Sequence, residues 1–244
     1  MNGTTTNNKI TPPPPKGPIH FGPYEVTTQV FLTTPHSFAV VNIKPLLPGH
    51  VLVCPRAPHK RLTDLSAAEL TDLFSTVQRV QHMLARYYFF SAAPSSSSSS
   101  SPSTTSSSPS SPSTSTPQDI PTPSHPYATP YCGSFNIAVQ DGREAGQTVP
   151  HVHVHVIPRI RGSNGKNPNT DGDELYVSMA NETGNAGGAF WDRERELEFK
   201  ERPKPGGAFP RIEDQDREAR TMEEMEAEAD LFRSVLASME DEGK

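Results

Sequence analysis

The feature that most constrains the fold is a tract of serine, threonine and proline in the middle of the chain. It occupies roughly 91–130 and contains the uninterrupted serine run Ser95 to Ser101. Such a composition buries too little apolar surface to offset the entropy lost on folding, so we expect a disordered surface loop. The residues on either side of the tract are then expected to share one core.

The overall composition also limits how much of the 244-residue chain folds. Only 33% of the residues are hydrophobic and 26 are proline. About 150 residues are left to fold, which is enough for one core. We interpret 1–17 as a disordered tail and predict a single domain over 18–240. That domain is interrupted by the tract at about 91–130 and by a flexible loop at about 162–219.

Several classes of protein are disfavoured by charge, cysteine content and hydropathy. The net charge of −6 predicts no groove for nucleic acid, and two cysteines, Cys54 and Cys132, are too few for a disulfide framework. The N-terminus lacks the pattern of a secretory signal, and no apolar run approaches the roughly 20 residues of a membrane span. These observations predict a protein of the cytoplasm or nucleus that binds no membrane and no nucleic acid. Cys54 is interpreted as a core residue.

Apolar patterning predicts both strands and helices. Short apolar runs between Ile19 and Pro55 predict a meander of antiparallel strands. Alternation predicts a further strand with one buried face, and the residues assigned to that face are Phe135, Ile137 and Val139.

Two helices are predicted from their N-terminal signals. Ser66 and Glu69 form a capping box that opens a helix reaching about Tyr88. Its apolar face is predicted to contain Leu70, Leu73, Phe74, Val77 and Leu84. A second capping box, Thr221 with Glu224, opens a helix predicted over Met222 to Met239.

Three histidines, His151, His153 and His155, alternate with valines in the run HVHVHV. Side chains two apart on a strand share a face, so the imidazoles are expected on one side and the valines in the core. Adjacent imidazoles would be rooted about 7 Å apart, which suits a row of groups acting on a polyphosphate.

Two other interpretations of the histidine row compete with this one. The histidines could be exposed polar positions of an ordinary strand, or a His-x-His pair could bind zinc. The preceding segment QDGREAGQTV favours phosphate chemistry instead, because a glycine permits close backbone approach and Gln147, Thr148 and nearby N–H groups can donate to an oxyanion.

The run HVHVHV matches the pattern of the histidine triad (HIT) superfamily, and its context is similar to one branch. The segments SFAVVNIKPLLPGHVLVCPR, QDGREAGQTVPHVHVHVIPR and RTMEEMEAEADLFR resemble the Fhit (fragile histidine triad) branch. The resemblance implies an α+β fold, a HIT-like antiparallel sheet with packed helices, paired across a homodimer.

The same resemblance implies an activity. The enzymes of this branch hydrolyse dinucleoside polyphosphates, typically P1,P3-bis(5'-adenosyl) triphosphate to AMP and ADP. His153 corresponds to the nucleophile that attacks the α-phosphorus and carries a nucleotidyl intermediate. Its role needs a neutral ring, and a histidine near its usual pKa of about 6.5 is largely neutral at cytosolic pH. Mg²⁺ or Mn²⁺ would accompany the phosphates of the substrate.

The resemblance also assigns substrate contacts. His155 would contact phosphate oxygens, and His151 would join a hydrogen-bond array with His50. By the same resemblance, Asn42 would bind a ribose hydroxyl and Phe21 would line the base pocket. The phosphates would be held by Gln140 and by the segment Gly146, Gln147, Thr148 and Val149. Ordinary structural roles are the alternatives for two of these residues: a turn former for Asn42 and a polar strand start for His50.

The resemblance also concerns two tyrosines. Tyr24 stands where the branch has a substrate-contacting histidine, and Tyr176 is the counterpart of a tyrosine associated with phosphorylation.

Two rival functions remain at this stage. One is a nucleoside phosphoramidate hydrolase of the same superfamily. The other is a binding protein that signals when loaded with nucleotide and turns it over slowly.

Overall fold

The computed structural model describes residues 17–90, 133–160, 174–195, 201–206 and 219–242. The predicted tail at 1–17 lies outside these residues except for Gly17, and the tract at 91–130 lies outside them entirely. The strands are β1 (His20–Phe21), β2 (Tyr24–Glu25), β3 (Val30–Thr33), β4 (Ser37–Val41), β5 (Val51–Pro55), β6 (Gly133–Val139) and β7 (Val154–Ile160). The helices are α1 (Ala67–Phe90), α2 (Glu174–Ala180), α3 (Ala186–Glu194) and α4 (Met222–Glu242).

The strands form two antiparallel sheets. β1 and β2 make a short hairpin, and the other strands make a five-stranded sheet in the order β3-β4-β5-β7-β6. The predicted meander is present, with one difference: the apolar run after Glu25 is divided by a 3-10 turn at Thr27–Gln29 before β3 begins. Together with the helices, this architecture confirms the α+β prediction.

The main core lies between the sheet and two helices, α1 and α4. Val154 and Val156 of β7 belong to it, as does Cys54. α4 is tied to the sheet by Arg233, whose guanidinium donates to the carbonyl oxygens of Thr28 and Val30. The core interpretation of Cys54 is therefore confirmed.

Both predicted capping boxes are present. The Ser66 hydroxyl accepts from the backbone N–H of Glu69, and the Glu69 carboxylate accepts from the backbone and hydroxyl of Ser66. Thr221 and Glu224 make the same exchange at the start of α4. The hydrogen bonds from Ser66 lower the pKa of Glu69 to about 2, as expected for a carboxylate held by an N-terminal cap.

Three apolar residues predicted to be buried are exposed. Leu70 and Phe74 of α1 are 38% and 42% exposed, and Ile137 of β6 is 40% exposed. The helix instead buries a stripe displaced around its axis, which consists of Leu73, Val77, Val80, Met83, Leu84 and Phe89. The one-sided burial predicted for β6 is wrong at Ile137, which lies in the last strand of the sheet as the structure describes it.

The prediction of one flexible loop over about 162–219 is wrong for part of its length. α2 and α3 lie inside that range and bury Leu175, Ala189 and Phe190. α3 was not recognised in the sequence because its N-cap, Asn185, is followed by Ala186 and two glycines, a composition typical of loops. No helix in the described ranges is long and apolar enough to cross a membrane.

The displaced stripe of α1 makes a prediction about stability. Leu84→Ala should lower the free energy of unfolding by about 2–5 kcal/mol, because it leaves a cavity at a side chain with no exposed surface. Leu70→Ala on the same helix should cost only about 0.5 kcal/mol, because much of that side chain already contacts water. Urea denaturation of the two variants measures both costs, and equal losses would contradict the assignment of the buried face.

Candidate active site

β7 divides its side chains between the two faces of the sheet. Val154 and Val156 enter the main core with no exposed surface, while the intervening positions point to the opposite face. The strand begins at Val154, so His151 and His153 lie in the turn that leads into it rather than in the strand. All three histidines are nevertheless buried, being 1%, 2% and 4% exposed in chain order. The alternative of exposed polar positions is therefore wrong.

His153 is held in one tautomer by its neighbour. Its Nδ1 lies 2.8 Å from the carbonyl oxygen of His151, which can only accept, so Nδ1 carries the proton. The other nitrogen, Nε2, then bears an unprotonated lone pair. The ring of Phe21 packs edge-on against the imidazole at 5.0 Å. Burial lowers the pKa of His153 to about 4, so the ring is neutral at physiological pH.

The hydrogen bonds of His50 and His155 fix the position of the proton on each ring. The backbone N–H of Leu46 donates to Nδ1 of His50, so the proton of a neutral His50 is on Nε2. That nitrogen lies 2.9 Å from Nδ1 of His155 and donates to it. The proton of His155 must then be on Nε2, which is buried and has no partner within the described residues. His155 therefore presents an N–H donor to the site beside His153, with the two ring centres 4.9 Å apart.

His151 is committed to the backbone through both ring nitrogens. Nδ1 accepts from the N–H of Gly22, and Nε2 donates to the carbonyl oxygen of Pro55 at 2.8 Å. Burial lowers its pKa to about 4. The ring thus ties the β1–β2 turn to the end of β5. The expected array of His151 with His50 is wrong, because His50 is bonded to His155.

Asn42 is buried next to His50. Its Oδ1 accepts from the backbone N–H of Lys44, which is a turn-forming contact. Its Nδ2 lies 3.3 Å from Nε2 of His50, but both atoms are donors in the tautomers just derived. The two atoms are therefore in contact without a hydrogen bond between them, which leaves the amide able to donate to a ligand. The guanidinium of Arg220 donates to the carbonyl oxygen of Asn42 and fixes its backbone.

The turn between β6 and β7 is braced rather than open. Gly146 adopts a left-handed conformation, φ +91°, and a side chain there would collide with the Gln140 amide. The N–H groups of Gly146 and Gln147 donate to carbonyl oxygens of the same turn, and the Gln147 side chain donates to Lys60. In this structure those predicted phosphate donors are therefore used within the protein. Val149 is buried in the main core.

An aromatic cluster borders the histidines on the side of the hairpin. Phe21 lies 5.9 Å from Phe190 of α3, and Tyr24 stacks on Phe190 at 4.9 Å. The Tyr24 hydroxyl donates to the carbonyl oxygen of Gly187, and burial raises the pKa of Tyr24 to about 12. Tyr24 has no exposed surface in this conformation, so α3 separates it from solvent.

The zinc alternative is disfavoured by the hydrogen bonds of the rings. Nδ1 of His151 accepts from Gly22, and Nδ1 of His155 accepts from His50, so those lone pairs are occupied. Among the residues that the structure describes, no group of three or more His, Cys, Asp or Glu side chains could hold a metal ion.

Several residues that set the site were missed by the sequence reasoning. Gly22, Leu46 and Pro55 contribute backbone atoms. A contact made by the backbone cannot be inferred from the type of the residue. Phe190 and Gly187 lie in a segment predicted to be a loop. Gly22 had a visible signal, since glycine follows Phe21 at a tight turn, but its partner is 129 positions away.

The buried neutral histidines predict a pH-dependent stability. His151 and His153 have folded pKa values of about 4, against 6.5 for unconstrained histidine, so the unfolded chain binds more protons between these values. Their stabilisation is complete above pH 6.5 and is lost as the pH falls toward 4. At pH 5 the loss should be about 2 kcal/mol for each histidine.

Urea denaturation of the protein and of His153→Gln at pH 7 and pH 5 measures this loss. The variant should lose less stability than the parent between the two pH values. Equal losses would contradict the buried neutral state of His153. Glu69 titrates at a lower pH and does not interfere.

Comparison with known proteins places this site in a family. The HIT domain family model matches residues 24–162. A bis(5'-nucleosyl)-tetraphosphatase (asymmetrical) of Schizosaccharomyces pombe is 33% identical over 219 residues, covering 90% of this chain and 94% of that protein. The bifunctional bis(5'-adenosyl)-triphosphatase/adenylylsulfatase FHIT of Arabidopsis thaliana is 34% identical, covering 88% and 83%.

A solved structure shows the same fold. The Plasmodium falciparum diadenosine triphosphate hydrolase, in complex with Cyclomarin A, has a TM-score of 0.50 and 24% identity, covering 94% of this chain and 92% of that one. The resemblance seen in the sequence is confirmed, and this chain belongs to the HIT domain family.

Proposed function

We propose that this protein hydrolyses dinucleoside polyphosphates, typically P1,P3-bis(5'-adenosyl) triphosphate to AMP and ADP, through a covalent nucleotidyl intermediate on His153. The observation that carries the proposal is the pair of ring nitrogens described above. Nε2 of His153 is a neutral nucleophile, and Nε2 of His155 is a hydrogen-bond donor beside it. The names of the S. pombe and A. thaliana relatives support the same substrate class.

The first step forms a bond between Nε2 of His153 and the α-phosphorus, while the bond from that phosphorus to the bridging oxygen of the leaving ADP breaks. The ring becomes positively charged as its lone pair is shared. The hydrogen bond from Nδ1 to the His151 carbonyl oxygen stabilises that charge without moving the proton. Water then attacks the phosphorus and gives up a proton to the solvent, the bond from the phosphorus to Nε2 breaks, and AMP leaves with regeneration of the neutral ring.

In this proposal His155 donates a hydrogen bond to the phosphate and not to the leaving group. Its Nε2–H is buried and unsatisfied among the described residues, which is costly unless a ligand accepts from it. A non-bridging phosphate oxygen is the acceptor that the reaction brings to this place. His50 acts through His155, because its Nε2–H fixes the tautomer that makes the donor.

Other contacts complete the proposed substrate site. Asn42 would bind a ribose hydroxyl, Phe21 the base, and Gln140 and Thr148 the phosphates. Mg²⁺ or Mn²⁺ would arrive with the polyphosphate and neutralise part of its charge. His151 is a positioning residue in this scheme, because the backbone occupies both of its nitrogens.

A homodimer is the assembly that we propose for this enzyme. β6 is an edge of the five-stranded sheet and carries the exposed Ile137. An unpaired edge strand with an exposed apolar residue favours pairing with a second strand of the same kind. The cytoplasm or nucleus stays the predicted compartment.

Two rival functions differ in measurable ways. A phosphoramidate hydrolase would turn over an adenosine phosphoramidate faster than diadenosine triphosphate. A signalling protein loaded with nucleotide would bind diadenosine triphosphate tightly but turn it over slowly. Assays of the tri- and tetraphosphates side by side also identify the preferred chain length.

The central prediction concerns the nucleophile. His153→Asn should lower kcat for diadenosine triphosphate at least about a hundredfold, equivalent to about 2.7 kcal/mol, because the ring nitrogens of His50, His151 and His155 are either protonated or already accept a hydrogen bond. Calorimetry should show that the variant still binds substrate. His36→Asn is the matched control, since His36 is exposed in the turn between β3 and β4.

A second measurement identifies the intermediate. Alkaline quenching during turnover should preserve an acid-labile nucleotidyl group, and peptide mapping should place it on His153. A label on another residue, or more than about a hundredth of the parental kcat in His153→Asn, would refute the assignment.

A further inference from the structure

Little of the proposed nucleophile is exposed in this conformation. His153 is 2% exposed, and Asn42 and Thr148 beside it are also buried. Residues 174–195 and 201–206, which we call the cover segment, contact several residues of the proposed substrate site. It comprises α2, α3 and a short extended stretch.

Near the β1–β2 hairpin, the cover segment contacts Thr148 and Phe21, which are proposed to bind substrate, and also Tyr24. The N–H of Gly187 donates to the Thr148 hydroxyl oxygen, and the carbonyl oxygen of Gly187 accepts from Tyr24. Phe190 fills the space against Phe21. A base stacked on Phe21 from that side would have to displace Phe190.

At the phosphate side, the segment supplies an acceptor where a phosphate oxygen is expected. The Gln140 amide donates to the carbonyl oxygen of Met179 at 3.1 Å. α2 packs there through a small apolar cluster that is separate from the main core. In this cluster Leu175 contacts Leu46 and Ile157. Ile157 follows His155 on the same face of β7, so the cluster lies directly beside the catalytic histidines.

The cover segment is also linked within itself. The Arg202 guanidinium pairs with Glu182 and Asp192, and the Asn185 amide donates to the carbonyl oxygen of Pro203. These bonds join its two stretches without involving the sheet.

The segment also contacts the rest of the protein elsewhere: the carbonyl oxygen of Glu182 accepts from Lys44, Arg193 donates to the carbonyl oxygen of Glu25, and Phe190 belongs to the main core. Displacing the segment as a unit costs these contacts together with those at Gln140, Thr148 and Phe21.

We propose that the cover segment is an autoinhibitory lid that competes with the substrate for Gln140, Thr148 and the face of Phe21. This inference rests on the proposed function, since it takes those residues to be the substrate site. Each contact of the closed lid has a counterpart in the substrate: a carbonyl oxygen for a phosphate oxygen, and a phenyl ring for a base. Closure reduces the fraction of molecules that can bind substrate, and the apparent dissociation constant rises by the same factor.

A fluorescence experiment reports the lid directly, because Trp191 of α3 is the only tryptophan in the chain. Diadenosine triphosphate added to the His153→Asn variant should change the emission of Trp191 and increase its quenching by acrylamide. Calorimetry on the same sample measures binding independently. Binding without a change at Trp191 would overturn the lid, whereas no binding of any dinucleoside polyphosphate would refute the proposed function instead.

Kinetics provide a second readout that does not need the inactive variant. Gly187→Ala places a Cβ 2.6 Å from the carbonyl oxygen of Thr148, a backbone atom, so the closed contact cannot form. The KM should fall at least about threefold with kcat little changed, as expected when a competing state is removed. An unchanged or increased KM would overturn the proposal, because the segment would then be inert or a wall of the occupied site.

A milder pair of variants guards against general destabilisation. Phe190→Leu should lower the KM in the same direction, since it weakens the contact with Phe21 and Tyr24. Phe232→Leu is the matched control: Phe232 is equally buried but packs against Phe31 in the main core. An equal fall of KM in both variants would overturn the lid.

Discussion

The hydrogen bond from Nδ1 of His153 to the carbonyl oxygen of His151 is the interaction on which the proposed chemistry depends. A carbonyl oxygen can only accept, so this contact places the ring proton on Nδ1 and leaves Nε2 as a nucleophile. A second chain of contacts, from the Leu46 N–H through His50, places the proton of His155 on Nε2. Two rings of identical chemistry thereby take opposite tautomers, one as nucleophile and one as donor. Burial keeps both neutral.

The fold supplies these contacts by using both faces of one strand. Val154 and Val156 anchor β7 in the core beneath α1, so the positions between them have fixed directions on the other face. On that face Ile157 packs against Leu175 of α2, and Phe21, which contacts His153, packs against Phe190 of α3. A site of this kind excludes water well, which strengthens its hydrogen bonds, but it admits substrate only after a rearrangement. Burial therefore strengthens the hydrogen bonds of the site but hinders the entry of substrate. A cover segment that moves aside allows both.

Much of this arrangement could be predicted from the sequence. The alternation HVHVHV separated the valines from the histidines, and the capping boxes at Ser66 and Thr221 located the starts of both long helices. The partners of each ring could not be predicted, because Gly22 and Pro55 act through backbone atoms of distant segments. The helix α3 was missed for a related reason: its glycine-containing sequence becomes ordered through contacts with Thr148 and Tyr24, and such tertiary contacts override local propensity.

The tautomers are the most direct test of the account, and nitrogen-15 NMR of imidazole-labelled protein at pH 7 observes them. The account predicts that His153 has a protonated Nδ1 and a pyridine-type Nε2, whereas His155 has a pyridine-type Nδ1 and a protonated Nε2. Replacing His50 with Phe should remove the fixed tautomer of His155 and leave that of His153 unchanged, which also assigns the signals. A protonated Nε2 on His153, or a charged ring at that pH, would contradict the assignment of His153 as the nucleophile.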